Sequence, residues 1–172
     1  MQRLEIIQGD ITKLRVEAIV NAANSSLAPG GGVCGAIHQA AGRELWEECK
    51  QLKGCEVGAA KITKGYNLFA KWVIHAVGPV WKGGYFDEDK LLASCYRQSL
   101  ALMEEYQIKS IAFPAISSGV YRFPVKRASE IAVTEVNKFL HECDSLERVI
   151  LVCFGQETYS AYLQTMSELV ES

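Results

Sequence analysis

A chain of 172 residues is long enough to bury about two thirds of its unfolded surface, and one domain spanning 1–172 is expected. With 49% hydrophobic residues, 22% charged residues and a formal net charge of −2, it is too apolar for a disordered polymer. It also has no basic block to grip a nucleic acid or an anionic membrane, so a bound anion would have to be held by backbone amides. No apolar run could span a bilayer and none follows the first residues as a leader would, so a cytoplasmic setting is expected, with neither membrane nor nucleic acid as partner. The six cysteines, at 34, 49, 55, 95, 143 and 153, form no C-x-x-C pair, which argues against a disulfide framework or a zinc site; no metal is expected.

Along the chain, Leu4 to Gly9 and Ala18 to Ala22 are short Ile- and Val-rich runs bounded by turn residues, and both predict buried strands. Trp72 to Val77, Ser110 to Ala115 and Arg148 to Phe154 predict three more. Helical stripes lie between and after them: Leu92, Cys95, Ser99, Leu102, Met103 and Tyr106 form the first. Val125, Ala128, Ala132, Val136, Phe139 and Leu140 form the second, and Tyr159, Tyr162, Leu163, Met166, Leu169 and Val170 the third. The acidic run Asp87, Glu88, Asp89 suits a helix N-terminus, and Pro124 suits a first helical position. Strands alternating with helices predict an α/β fold with an at least partly parallel sheet covered on both faces, whose ligands bind beyond the carboxyl ends of the strands.

Two loops follow strands and precede helices. The segment Asn21 to His38, NAANSSLAPGGGVCGAIH, runs from a strand end through three glycines to an expected helix start at Gly35. Glycines let backbone approach a ligand, and a helix N-terminus offers unpaired N–H groups to a phosphate. The second loop, Ala115 to Tyr121 (AISSGVY), adds hydroxyls at Ser117 and Ser118 and a glycine at 119. Neither loop contains Lys or Arg, so two such turns would close on a diphosphate through amides. Judged singly, each is equally readable as a plain connection. Gly30, Gly32 and Gly35 also match a dinucleotide fingerprint, but a long polar turn separates them from the strand, and Glu56 precedes the candidate strand that an acidic ribose partner should follow. Asp10 is readable as a turn cap or as an acceptor for an exocyclic amine, and Phe154 as a core residue or a base-stacking one. His38 and His75 read as structural.

Taken in order, GDIT (9–12), IVNAANSSL (19–27), GGGVCGAIH (30–38), VIHAVGPVW (73–81) and FPAISSGVY (113–121) resemble a macrodomain of the MacroD type over essentially the whole chain. The resemblance implies a three-layer α/β/α sandwich with a mixed central sheet and an ADP-ribose cleft across its top. It assigns Asp10 to the adenine amine, with the Ile11 amide beside it, and Phe154 to adenine stacking. Gly31, Gly32 and Val33 would wrap the diphosphate together with Ser117, Ser118, Gly119 and Val120, while Tyr121 packs on the distal ribose. Asn24 would bind that ribose and orient an attacking water.

The chain departs from the family pattern at Cys34, where MacroD-type hydrolases carry the aspartate of GVDG. Three readings of Cys34 stay open: an inert packing residue, a thiolate base at a helix N-terminus, or a small residue that leaves water activation to the ligand's phosphate. The implied activity is slow hydrolysis of ADP-ribose esters, either O-acetyl-ADP-ribose or mono-ADP-ribose on acidic side chains of proteins. The alternatives are a non-catalytic ADP-ribose reader and, more remotely, a nicotinamide oxidoreductase. No cofactor is implied, and a monomer is expected.

Overall fold

The structure, a computed structural model, describes residues 3–171. Six strands build one sheet: β1 (Leu4–Gln8), β2 (Ala18–Ala23), β3 (Ala60–Lys64), β4 (Trp72–Val77), β5 (Ser110–Pro114) and β6 (Arg148–Cys153). Their order across the sheet is β1-β6-β5-β2-β4-β3, parallel throughout except that β3 runs antiparallel to β4. The mixed sheet implied by the resemblance is therefore present, and its single reversed strand lies at an edge.

Five helices cover it: α1 (Gly32–Ala41), α2 (Arg43–Gln51), α3 (Glu88–Glu105), α4 (Val125–Glu142) and α5 (Gln156–Met166). The period-2 pleat sorts strand side chains between two cores. Ala18 and Val20 of β2 join Leu92, Tyr96, Val136 and Tyr162 under α3, α4 and α5. Ile19 and Ala23 of the same strand join Ile37, Leu45 and Cys49 under α1 and α2. Among the described residues no helix is long and apolar enough to cross a membrane.

Expected and observed elements differ in a few places. Helix α1 begins at Gly32 rather than Gly35, because glycines at 31 and 32 cap and start the first turn instead of preceding it. Pro124 sits just before the first residue of α4 rather than inside it. Helix α2, RELWEECKQ, has no counterpart among the stripes read in the sequence: it buries only Leu45 and Cys49, too few positions to show a period. Beyond α5 the winding widens into a five-residue π-type turn, Ser167–Glu171, which changes the phase of the last stripe, so Tyr162 and Met166 are buried while Leu169 is exposed.

Candidate functional site

All parallel strands point their carboxyl ends to one edge of the sheet, and every loop singled out in the sequence leaves from that edge. Asp10 follows β1 and Phe154 follows β6, and the register pairing Gln8 with Cys153 brings the two strand ends together. Asp10 is exposed and caps a single 3-10 turn, Ile11–Lys13, its Oδ1 accepting from the Thr12 amide at 2.9 Å and the Thr12 hydroxyl at 2.7 Å. The hydroxyl bond, helped by the amide, holds the carboxyl below the usual aspartate range, so it is an anionic acceptor at neutral pH. Ile11 beside it is buried. Phe154 is 88% exposed, so of its two readings the core one is overturned.

At the centre of the edge stand the two glycine-containing loops. Gly31 precedes α1 with no side chain capping the helix, so the amides of its first turn have no protein acceptor within the helix. Gly31 and Gly32 are exposed, and Gly32 has φ +56°, a conformation that favours glycine. Gly35 packs against the same loop: a Cβ there would collide with the Gly30 carbonyl oxygen. Opposite, Ser117 adopts φ +66° and turns its side chain inward, while the Ser118 hydroxyl donates to Ala115 O at 3.0 Å. Gly119 and Val120 are exposed and Tyr121 is half-buried. Gly78, past the end of β4, lies under this second loop, since a Cβ there would strike Ser117 Oγ and Ile116.

Asn24 and Cys34 meet at one atom. The Asn24 amide donates to Ala28 O at 2.9 Å and Cys34 Sγ donates to the same carbonyl at 3.6 Å. Asn24 Oδ1 accepts from the Ser26 hydroxyl at 2.7 Å and the Ala28 amide at 3.1 Å, so the side chain closes its own loop. Cys34 is the third residue of α1 and is buried on its inner face, where Asn21 Nδ2 lies 3.7 Å from the sulfur. This inward placement suits a packing role.

Asn21 also donates to His75 Nδ1 at 3.1 Å. In that arrangement the neutral ring carries its proton on Nε2, which faces Thr63 Oγ1 at 2.9 Å, and Thr63 donates onward to Lys64 O at 3.1 Å. Burial, with the nearby His38 adding to it, pushes the His75 pKa down to about 3. His38 lies buried on α1, its pKa lowered by burial. Both histidines are held inside the fold, consistent with the structural reading.

The sequence singled out neither this network nor Glu88. Glu88 is 2% exposed, and its carboxylate accepts from the amides of Lys82 at 2.8 Å, Gly84 at 2.9 Å and Phe86 at 2.6 Å. Burial raises its pKa, but the amides outweigh that and bring it to about 2. In the sequence Glu88 reads only as one member of an acidic run; the sole further signal is the glycine pair, Gly83 and Gly84, just before it.

No group of three or more His, Cys, Asp or Glu among the described residues is placed to hold a metal ion. Two depressions lie away from the loop edge, one of about 120 Å³ beside Arg3 and His141 and one of about 350 Å³ between α3 and α4. Neither gathers groups with perturbed acidity, and neither is lined by a residue of the two loops.

The macro domain family model matches residues 20–132. A macro domain-containing protein of Methanosarcina mazei is 55% identical over 170 residues, covering 99% of this chain and 91% of that protein. An O-acetyl-ADP-ribose deacetylase of Salmonella newport is 50% identical over 170 residues, covering 96% and 95%. A mutant of the Oceanobacillus iheyensis macrodomain, solved with ADPR, superposes with a TM-score of 0.94 at 41% identity, covering 98% of this chain and 94% of that one. The chain belongs to the macro domain family.

Proposed function

We propose that the chain binds ADP-ribose along the carboxyl edge of its sheet and slowly hydrolyses esters of that nucleotide, O-acetyl-ADP-ribose or mono-ADP-ribose on acidic side chains, in a cytoplasmic setting. One observation carries the reading: the edge presents, in spatial order, an ionised Asp10 beside the exposed Phe154, then the exposed Gly119–Val120 loop and the uncapped first turn of α1, with Asn24 at the end of β2. The deacetylase of Salmonella newport and the ADPR complex of the Oceanobacillus iheyensis macrodomain support it.

The roles follow from the chemistry of each group. Asp10 accepts from the adenine amine and Phe154 stacks on the ring, while the Ile11 amide sits beside them. Amides of Gly31, Gly32 and Val33 and of Ser117, Ser118, Gly119 and Val120 hold the diphosphate, and Tyr121 packs on the distal ribose. Asn24 has a second amide hydrogen beyond the one given to Ala28, enough to orient the ribose or a water. No carboxylate stands in the first turn of α1 to take the water's proton, so that proton passes to the ligand's own phosphate. Lacking a protein base lowers a rate by roughly 10²- to 10⁴-fold, which makes turnover slow rather than absent.

Incubation with O-acetyl-ADP-ribose and with an ADP-ribosyl ester of a peptide checks this, with release of free ADP-ribose or acetate as the readout. No release from either, by protein that binds ADP-ribose, leaves the non-catalytic reader. That second reading is favoured by the burial of Cys34 against Ala28 and Asn21.

A further inference from the structure

We infer that the segment Val80–Phe86, with Arg122 beside it, is a docking surface for the acidic polypeptide to which the nucleotide is attached; the inference rests on the ADP-ribose reading above. The spatial order of the strands sets the direction. Asp10 and Phe154 lie past β1 and β6, the two amide loops past β5 and β2, and β4 is the next strand outward. A nucleotide laid from adenine to distal ribose along that edge runs toward the segment that follows β4. Whatever is esterified to the distal ribose is therefore delivered to Gly78–Asp87.

This segment is joined to the second amide loop and held in one shape. The Trp81 amide donates to Tyr121 O at 2.8 Å, and the Trp81 ring packs on Phe123 with centroids 4.8 Å apart. The Glu88 carboxylate gathers three amides of the segment, and Gly83 and Gly84 take φ of +94° and +91° to allow it. A loop fixed this firmly nonetheless turns its apolar side chains outward: Tyr85 is 89% exposed and Phe86 63%, with Val120 of the adjoining loop at 91%. Rigid exposed aromatics give contact area at little entropic cost, the usual make-up of a binding anchor.

Charge selects the partner. Two of the three acidic residues here are satisfied, Asp89 by Arg127 at 2.5 Å and Glu88 by amides, while the exposed Asp87 has only Lys90 at 4.0 Å. Lys82 and Arg122 are exposed and, among the described residues, belong to no ion pair. The surface thus offers two aromatic rings flanked by unpaired cations, which fits a chain rich in Asp and Glu. An acetyl ester has nothing for the rings to pack on.

Calorimetry with three probes tests this: free ADP-ribose, an acidic peptide carrying ADP-ribose through a hydrolysis-resistant amide, and an oligonucleotide with ADP-ribose on its terminal phosphate. The peptide conjugate binds about tenfold more tightly than free ADP-ribose, and Tyr85→Ala/Phe86→Ala removes that gain while leaving ADP-ribose affinity unchanged. Lys82→Glu weakens the conjugate alone, and more at low salt than at high. Equal affinity of wild type for peptide conjugate and free nucleotide, or a gain that survives both variants, overturns the docking surface but not the nucleotide site. A tighter fit to the oligonucleotide overturns the choice of a polypeptide. If ADP-ribose itself fails to bind, the underlying reading falls and this one with it.

Discussion

Cys34 and Asn24 share the Ala28 carbonyl, so the residue that the resemblance sets in the aspartate position is tethered to the loop that holds the expected water-orienting side chain. Cys34 is 5% exposed beneath the first turn of α1, where a thiol packs well. Aspartate is similar in size, and its charge there would lie in the first turn of a helix beside the Asn21 amide, both favourable to a carboxylate. Cys34→Asp is therefore expected to raise ester hydrolysis by about 10²- to 10⁴-fold, and Cys34→Ala to leave the slow wild-type rate unchanged. Steady-state release of ADP-ribose measures both; loss of the rate in Cys34→Ala would instead make the thiol a participant. At Gly32 the argument is conformational and electrostatic together. With φ +56° and an exposed amide end, Gly32→Glu incurs about 1 kcal/mol of left-handed strain and sets a carboxylate in the proposed diphosphate seat. ADP-ribose affinity should fall sharply, and calorimetry showing no change would mean the first loop is not the phosphate seat.

At the scale of elements, helix α1 and the glycine loop form one unit, because the Gly30 carbonyl sits where a Gly35 side chain would begin. An alanine inside a helix normally gains about 0.5–1 kcal/mol over glycine, yet here the obstacle is backbone, which cannot swing aside. The steric cost of overpacking, about 1–3 kcal/mol, exceeds the propensity gain. Gly35→Ala should lower the melting temperature and weaken ADP-ribose binding together. Gly119→Ala, with no atom within 4 Å of the added methyl, should keep its stability within about 0.5 kcal/mol of wild type. A Gly35→Ala protein as stable as wild type would show that loop and helix are not in contact. Five of the six strands were legible as short Ile- and Val-rich runs between turn residues, and the stripes of α3 and α4 as a period of 3.6 that records the buried face; the edge strand β3, AKITK, carries no such run. Loop side chains carry no such record. Nothing in NAANSSL discloses that Asn24 folds back on Ala28, and nothing in the acidic run 87–89 discloses that Glu88 alone turns inward to gather three amides. Phe154 was open between core and surface for the same reason, since a residue one step past a strand end belongs to neither pattern.

Across the whole molecule, the two cores divide the labour. The layer under α3, α4 and α5 holds its buried polar pair, Ser129 and Thr165, between helices, whereas the layer under α1 and α2, which supports the first loop, contains a polar thread through β2, β4 and β3. Asn21, His75 and Thr63 make that thread, with Cys49 Sγ 3.7 Å from the His75 ring. His75 is fully buried and neutral, and its pKa of about 3 lies far below the 6.5 of an unfolded imidazole. Between those two values the unfolded chain binds a proton that the folded chain refuses, so stability falls as pH drops through this window, by up to about 1.4 kcal/mol per unit. Glu88 and Asp10 act in the same direction but lower: their carboxyls are held down in the fold, and the stability they contribute is lost only as pH falls below the usual carboxylate range. The two effects are separable by pH. Urea unfolding at pH 7 and pH 5 should show wild type losing about 2 kcal/mol through His75, with His38, also lowered by burial, adding in the same direction. His75→Gln, although less stable at pH 7 for want of a ring between Asn21 and Thr63, should lose correspondingly less on going to pH 5. Equal losses in the two proteins would place the acid sensitivity outside this thread.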